Sequence, residues 1–93
     1  MKAGALLVNT SRGGHVDTDA LVAALRAGRV RAAIDVYDEE PLGAGHALRS
    51  VPGTVLTPHL GYVTAENMPE LYRSSVENLV AWLDGAPVRV VNG

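Results

Sequence analysis

Three short apolar runs punctuate the chain, and a polar residue able to do chemistry lies at or just beyond the end of each. Ala5-Leu6-Leu7-Val8-Asn9 is a continuous apolar stretch, the pattern of a strand buried on both faces. Ser11-Arg12-Gly13-Gly14 breaks it. A helix opens at Val16-Asp17-Thr18-Asp19, with Asp17 as its N-cap and Asp19 near the positive end of the helix dipole. Leu21, Val22 and Leu25 keep helical spacing, Val30 is a further candidate for that face, and Gly28 fits a C-terminal stop. Ala32 to Val36 is the second strand, so the segment reads as a right-handed strand–helix–strand unit. Residues 38–53 carry Pro41, Gly43, Gly45, Pro52 and Gly53 and read as loop, with a short helical turn around His46 to Ser50. Thr54-Val55-Leu56-Thr57 is the third strand, stopped by Pro58. From Thr64 to about Asp84 the pattern is helical again, with Met68, Leu71 or Tyr72, Val76, Leu79 and Leu83 on one face. Pro69 lies beyond the first turn counted from Thr64, so this helix either kinks or starts late. Gly85-Ala86-Pro87 ends it, and Val88 to Val91 is a candidate extended tail.

These elements predict an α/β fold: a partial, Rossmann-like parallel sheet of about three strands with flanking helices and a long C-terminal helix. Such a sheet is incomplete as a doubly wound domain. Its first strand lacks a neighbour on one side, an apolar edge of the kind proteins cover. Another copy, a separate polypeptide or a missing N-terminal part is expected to cover it. Ninety-three residues, 47% hydrophobic and 19% charged, make at most one small globular domain. A net charge of −2 without a basic block gives no reason to expect nucleic acid. No apolar run is long enough to span a bilayer and no secretory start is present, so no membrane is expected and the cytoplasm is the default. Cysteine is absent, which excludes disulfides and thiolate metal sites.

In an open parallel sheet, chemistry collects beyond the carboxyl ends of the strands. An arginine (Arg12), carboxylates (Asp35 and Glu40) and a histidine (His59) delivered to that edge look like a site for a small anionic substrate. No Gly-x-Gly-x-x-Gly occurs, so a nucleotide site would be only half present. Taken singly, each residue has a plainer reading: Arg12 as a surface arginine at a turn, His59 as a strand-end histidine bonded to backbone, the Asp38-Glu39-Glu40 cluster as a solvated acidic loop. Asp35 ends an apolar run, where an unpaired charge would be unfavourable, so either a ligand or local backbone amides should satisfy it. His15 and His46 have no partner at metal-ligand spacing, and no metal is expected.

The run Met1-Lys2-x-Gly4-Ala5 into Val8-Asn9-Thr10-Ser11-Arg12-Gly13-Gly14, then Asp17, Ala20-Leu21 and Ala24-Leu25, resembles the D-isomer-specific 2-hydroxyacid dehydrogenases. So do Ala33-Ile34-Asp35-Val36 with Glu39-Glu40-Pro41-Leu42, then Leu56-Thr57-Pro58-His59-Leu60-Gly61, and the ending Pro87-Val88-x-Val90-Val91-Asn92. Members of that family are well over twice as long, with a Rossmann NAD-binding domain inserted in a flavodoxin-like substrate domain. The resemblance implies that residues 1–93 are the C-terminal half of the nucleotide domain. Residues 64–93 would then be the helix and tail returning toward the absent substrate domain. It implies a cofactor, NAD(H) or NADP(H), held on its nicotinamide side only, and a small 2-hydroxy or 2-keto acid as substrate. By resemblance Arg12 clamps the substrate carboxylate and polarises the C2 carbonyl, His59 is the general acid/base, and Glu40, immediately before the proline, orients and supports His59. Thr10, Ser11, Asp35, His59 and Gly61 join Arg12 around the cofactor. Tyr62 departs from the small residue usual at its position. The implied activity is hydride transfer by an NAD(P)-dependent D-2-hydroxyacid dehydrogenase, with the chain incomplete by itself. The alternative is a non-catalytic remnant or a self-associating binding module, expected to form a dimer.

Overall fold

Alternation between covered and open positions along three parallel strands explains how this short chain builds a core. The structure, a computed structural model, describes residues 1–92. It divides into two compact units, Met1–Gly61 and Tyr62–Gly93. In the first unit strand β1 spans Ala5–Asn9, helix α1 Thr18–Arg26, strand β2 Val30–Ile34 and strand β3 Thr54–Leu56. They form one sheet in the order β1-β2-β3 with all pairings parallel. Leu21, Val22 and Leu25 of α1 pack with Ala32 and Ile34 of β2 and with Leu48 and Val51 of the following loop. Each of these is more than 90% buried.

Local chemistry accounts for the boundaries. Asp17 caps α1, its carboxylate accepting from the Ala20 amide at 2.9 Å. Gly28 ends it at a φ of 64°, a conformation open to glycine and unfavourable for a residue with a Cβ. In the long β2–β3 connection a single turn of 3₁₀ helix at Ala47–Arg49 is capped by His46, whose Nδ1 accepts from the Leu48 amide at 3.2 Å. That turn buries Leu48 where a longer crossover would have placed a second helix.

Three expectations need correction. Val30 does not extend the α1 face; it begins β2, paired with Ala5, so the second strand runs two residues earlier than its apolar composition indicated. Val36 still lies buried, beyond the strand end. The first strand is not buried on both faces. Leu7 faces α1, whereas Leu6 and Val8 are 54% and 60% exposed, and Val55 of β3 is 64% exposed. α1 and the Leu48–Val51 segment cover one side of the sheet alone.

In the second unit helix α2 spans Asn67–Leu83. It starts late rather than kinking: Pro69 falls in the first turn, where no intrahelical bond needs its missing N–H. Glu70 and Glu77 pair with Arg73, and Arg89 reaches back to Glu77 and Asn78, which ties the tail to the helix. Val88 to Val91 forms no strand. The apolar stripe of α2 is open, with Val76, Leu79 and Leu83 all more than half exposed.

Candidate active site

The sheet register aligns the strand ends. Asn9 pairs with Ile34 and Ile34 with Leu56, so the three strands leave the sheet side by side at its carboxyl edge. The candidate site residues lie beyond that edge: Thr10, Ser11 and Arg12 after β1, Asp35 and then Glu40 after β2, His59 and Gly61 after β3.

The turn after β1 is built by Asn9, itself 7% exposed. Its side chain accepts from the Ser11 amide at 3.1 Å and donates to the Arg12 carbonyl at 2.8 Å. Gly13 then passes against the segment that follows β2: a Cβ there would lie 2.2 Å from the Tyr37 carbonyl carbon and 2.4 Å from the Asp38 nitrogen. Among the described residues the exposed Arg12 guanidinium bonds only to the Ser11 carbonyl, at 2.6 Å, leaving most of its donor fork open.

Asp35 is 4% exposed and fully engaged by the chain. One carboxylate oxygen accepts from the Thr57 hydroxyl at 2.5 Å and the Leu60 amide at 2.9 Å; the other accepts from the Gly61 amide at 2.8 Å. The Thr57 hydroxyl bond, then the Leu60 amide, hold its carboxyl below the usual carboxylate range. Of the two readings open for Asp35, local amides therefore supply partners here. The same turn presses Gly61 close: an added Cβ would lie 3.0 Å from Asp35 Oδ2 and 3.8 Å from Thr10 Cβ.

His59 leaves β3 with a φ of 59°, in the left-handed region. That conformation disfavours a residue with a Cβ by roughly 1–2 kcal/mol, histidine being among the more tolerant. Its amide donates to the Asp35 carbonyl at 2.8 Å. Its Nδ1 lies 2.8 Å from Glu40 Oε2, and each side chain of the pair is 36% exposed. The other Glu40 oxygen accepts from the Tyr37 amide at 2.9 Å. His59, and after it the Tyr37 amide, hold Glu40 below its ordinary value, so Glu40 is ionised at neutral pH. The pair borders a cleft of about 490 Å³ whose walls include Tyr37, Pro41, Leu42 and Leu56.

This geometry has counterparts. Residues 1–61 match the family model described as D-isomer specific 2-hydroxyacid dehydrogenase, NAD binding domain. The chain belongs to that family. A glyoxylate reductase of Aeropyrum pernix is 47% identical over 94 residues, covering 99% of this chain and 28% of that protein. A crystal structure from Thermus thermophilus superposes with a TM-score of 0.84 at 47% identity, over 95% of this chain and 30% of that one. An NADPH-dependent glyoxylate/hydroxypyruvate reductase of Sinorhizobium meliloti, solved with citrate, gives a TM-score of 0.78 at 33% identity, over 95% and 29% of the two chains. The chain thus spans under a third of the length of these relatives.

The dehydrogenase motifs meet unevenly. Glu40 and His59 are in direct contact, and Thr10, Asp35 and Gly61 cluster beside them. Arg12 and Ser11 share the β1 turn. Residue reading missed the supports: Asn9, Thr57 and Tyr37. Tyr37 is the hardest to foresee, since its hydroxyl reaches the carbonyls of both Ile34 and Thr57, at 3.0 and 2.9 Å. Burial, and then the negative Asp35, push that phenol above its ordinary value, so it stays a donor. Asn9 carried a signal, a polar residue closing a buried strand.

Proposed function

We propose that this chain supplies the nicotinamide side of the cofactor site and the proton-transfer pair of an NAD(P)-dependent D-2-hydroxyacid dehydrogenase acting on a small 2-keto acid. The observation that carries the reading is the His59–Glu40 contact of 2.8 Å at the carboxyl edge of a parallel sheet. The donor set fits half of such a cofactor: exposed Thr10, Ser11 and Gly61 stand beside the ends of β1 and β3, while no glycine-rich pyrophosphate loop exists in the sequence. When bound, the reduced nicotinamide supplies the hydride. His59 Nε2 donates the matching proton to the substrate oxygen, and the ionised Glu40 holds the ring and stabilises its cationic form. The open fork of Arg12 takes the substrate carboxylate. Asp35 serves the nicotinamide end through the Leu60–Gly61 turn it builds. The names of the relatives point to glyoxylate and hydroxypyruvate as first substrates to try. Residues 64–93 are proposed to return toward a substrate domain, and the cytoplasm is the proposed compartment; no described helix is long and apolar enough to cross a membrane.

A second reading rests on the open apolar faces at Leu6, Val8 and Val55: a self-associating module that retains the motifs without turnover. NAD(P)H oxidation with glyoxylate or hydroxypyruvate, by the complete enzyme to which this chain is proposed to contribute and by its His59→Ala variant, separates the two. The expected result is a fall in turnover of at least about a hundredfold with cofactor affinity kept. Equal losses in both would refute the proton-transfer role. Saturable NADH fluorescence with the chain itself would contradict an inert remnant, whereas absence of turnover in the complete enzyme would favour the non-catalytic module.

A further inference from the structure

We infer that Thr57 is a positioning residue for His59, acting through Asp35. The inference rests on reading His59 as the proton-transfer group. His59 adopts a left-handed backbone, an arrangement that persists only when its surroundings over-determine it. Three donors from the segment that flanks it converge on Asp35: the His59 amide on its carbonyl, and the Leu60 and Gly61 amides on its two carboxylate oxygens. The carboxylate can serve both amides only in one orientation. Within the side chains, the Thr57 hydroxyl is what holds that orientation, donating to the same oxygen that Leu60 uses. Thr57 is itself pinned, its amide on the Ile34 carbonyl at 3.0 Å and its carbonyl at the Tyr37 hydroxyl. Strand β3 thereby hands a fixed hydroxyl to β2, and β2 returns a fixed carboxylate to the turn beyond β3. The ring of His59 is presented to Glu40 as a consequence, its Nδ1 2.8 Å from Glu40 Oε2, and because an ionised carboxylate only accepts, we assign the proton of that contact to Nδ1.

The test uses the full chain with ¹⁵N-labelled histidine and backbone. Two-bond ¹H–¹⁵N spectra report the His59 tautomer, and hydrogen exchange reports the Leu60 and Gly61 amides, with the Ala32 and Ile34 amides as a control for the sheet. Thr57→Val keeps the β-branched shape and removes the hydroxyl; Thr57→Ser restores it. The expected result for Thr57→Val is roughly tenfold faster exchange at Leu60 and Gly61, with the sheet amides unchanged, and loss of the Nδ1–H tautomer. Thr57→Ser returns both signals. Unchanged signals in Thr57→Val would overturn the inference, as would a serine variant that behaves like valine. If the valine variant loosens the sheet as well, Gly61→Ala decides, because its Cβ pushes on Asp35 Oδ2 while leaving Thr57 intact. Loss of the tautomer there supports the relay through Asp35, and its retention overturns it. None of these signals needs turnover, so a failure here is distinguishable from a failure of the proposed reaction.

Discussion

At the scale of single residues, two carboxylates face opposite tasks. Glu40 shares its oxygens between His59 and the Tyr37 amide at the mouth of a cleft. Glu40→Gln keeps a similar shape and removes the negative charge beside the His59 ring. Under the proposed function, keto-acid reduction by the complete enzyme is expected to fall roughly ten- to a hundredfold, read as kcat with KM little changed. Asp35 is buried and structural in its contacts. Its carboxyl is held low in the fold by Thr57 and the Leu60 amide, so its stabilisation is present above the unfolded value of about 3.9 and is lost as pH falls through the lower folded value. Asp35→Asn should therefore lower the urea midpoint clearly at pH 7, and the gap to the unaltered protein should narrow on acidification below about pH 4. A gap independent of pH would refute the assignment.

The elements are held by a few close contacts. Leu25 is 2% exposed on the buried face of α1, near its C-terminal end, and Leu25→Ala should destabilise by about 2–5 kcal/mol. A unit of this size has little more than that in reserve, so the variant is expected to lose its cooperative thermal transition by circular dichroism. The turn after β1 is equally intolerant for a different reason. Gly13→Ala drives a Cβ to within 2.5 Å of three backbone atoms of Tyr37 and Asp38, and the turn must shift. A loss of about 1–3 kcal/mol is expected, together with displacement of Arg12, seen as a drop in Tm. The elements were legible where the chain carries local chemistry. Asp17 announces the start of α1 and Gly28 its end, and both do what their side chains dictate. The start of β2 was not legible, because Val30 fits a helix face and a strand equally well and only pairing with Ala5 decides.

For the molecule as a whole, open apolar surface is the dominant feature. Leu6, Val8 and Val55 stand on one sheet face and Val76, Leu79 and Leu83 on α2, all more than half exposed. The chain by itself is expected to associate at tens of micromolar, roughly the range of marginal contacts. Sedimentation velocity checks this: Val8→Lys should shift the population toward monomer with the circular dichroism spectrum retained, and a compact monomer in the unaltered chain would refute it.

The sequence by itself determined the family, the α/β class and the candidate site residues, because motif spacing, capping residues and apolar runs are local properties of the chain. Among three adjacent acids, the family resemblance singled out Glu40, through its place before Pro41. What Asp35 bonds to, why His59 tolerates a left-handed backbone, and what Thr57 and Tyr37 contribute were decided only by tertiary structure. Those contacts join residues about 20 or more positions apart across strand ends, and only the parallel register of β1, β2 and β3 brings them within reach.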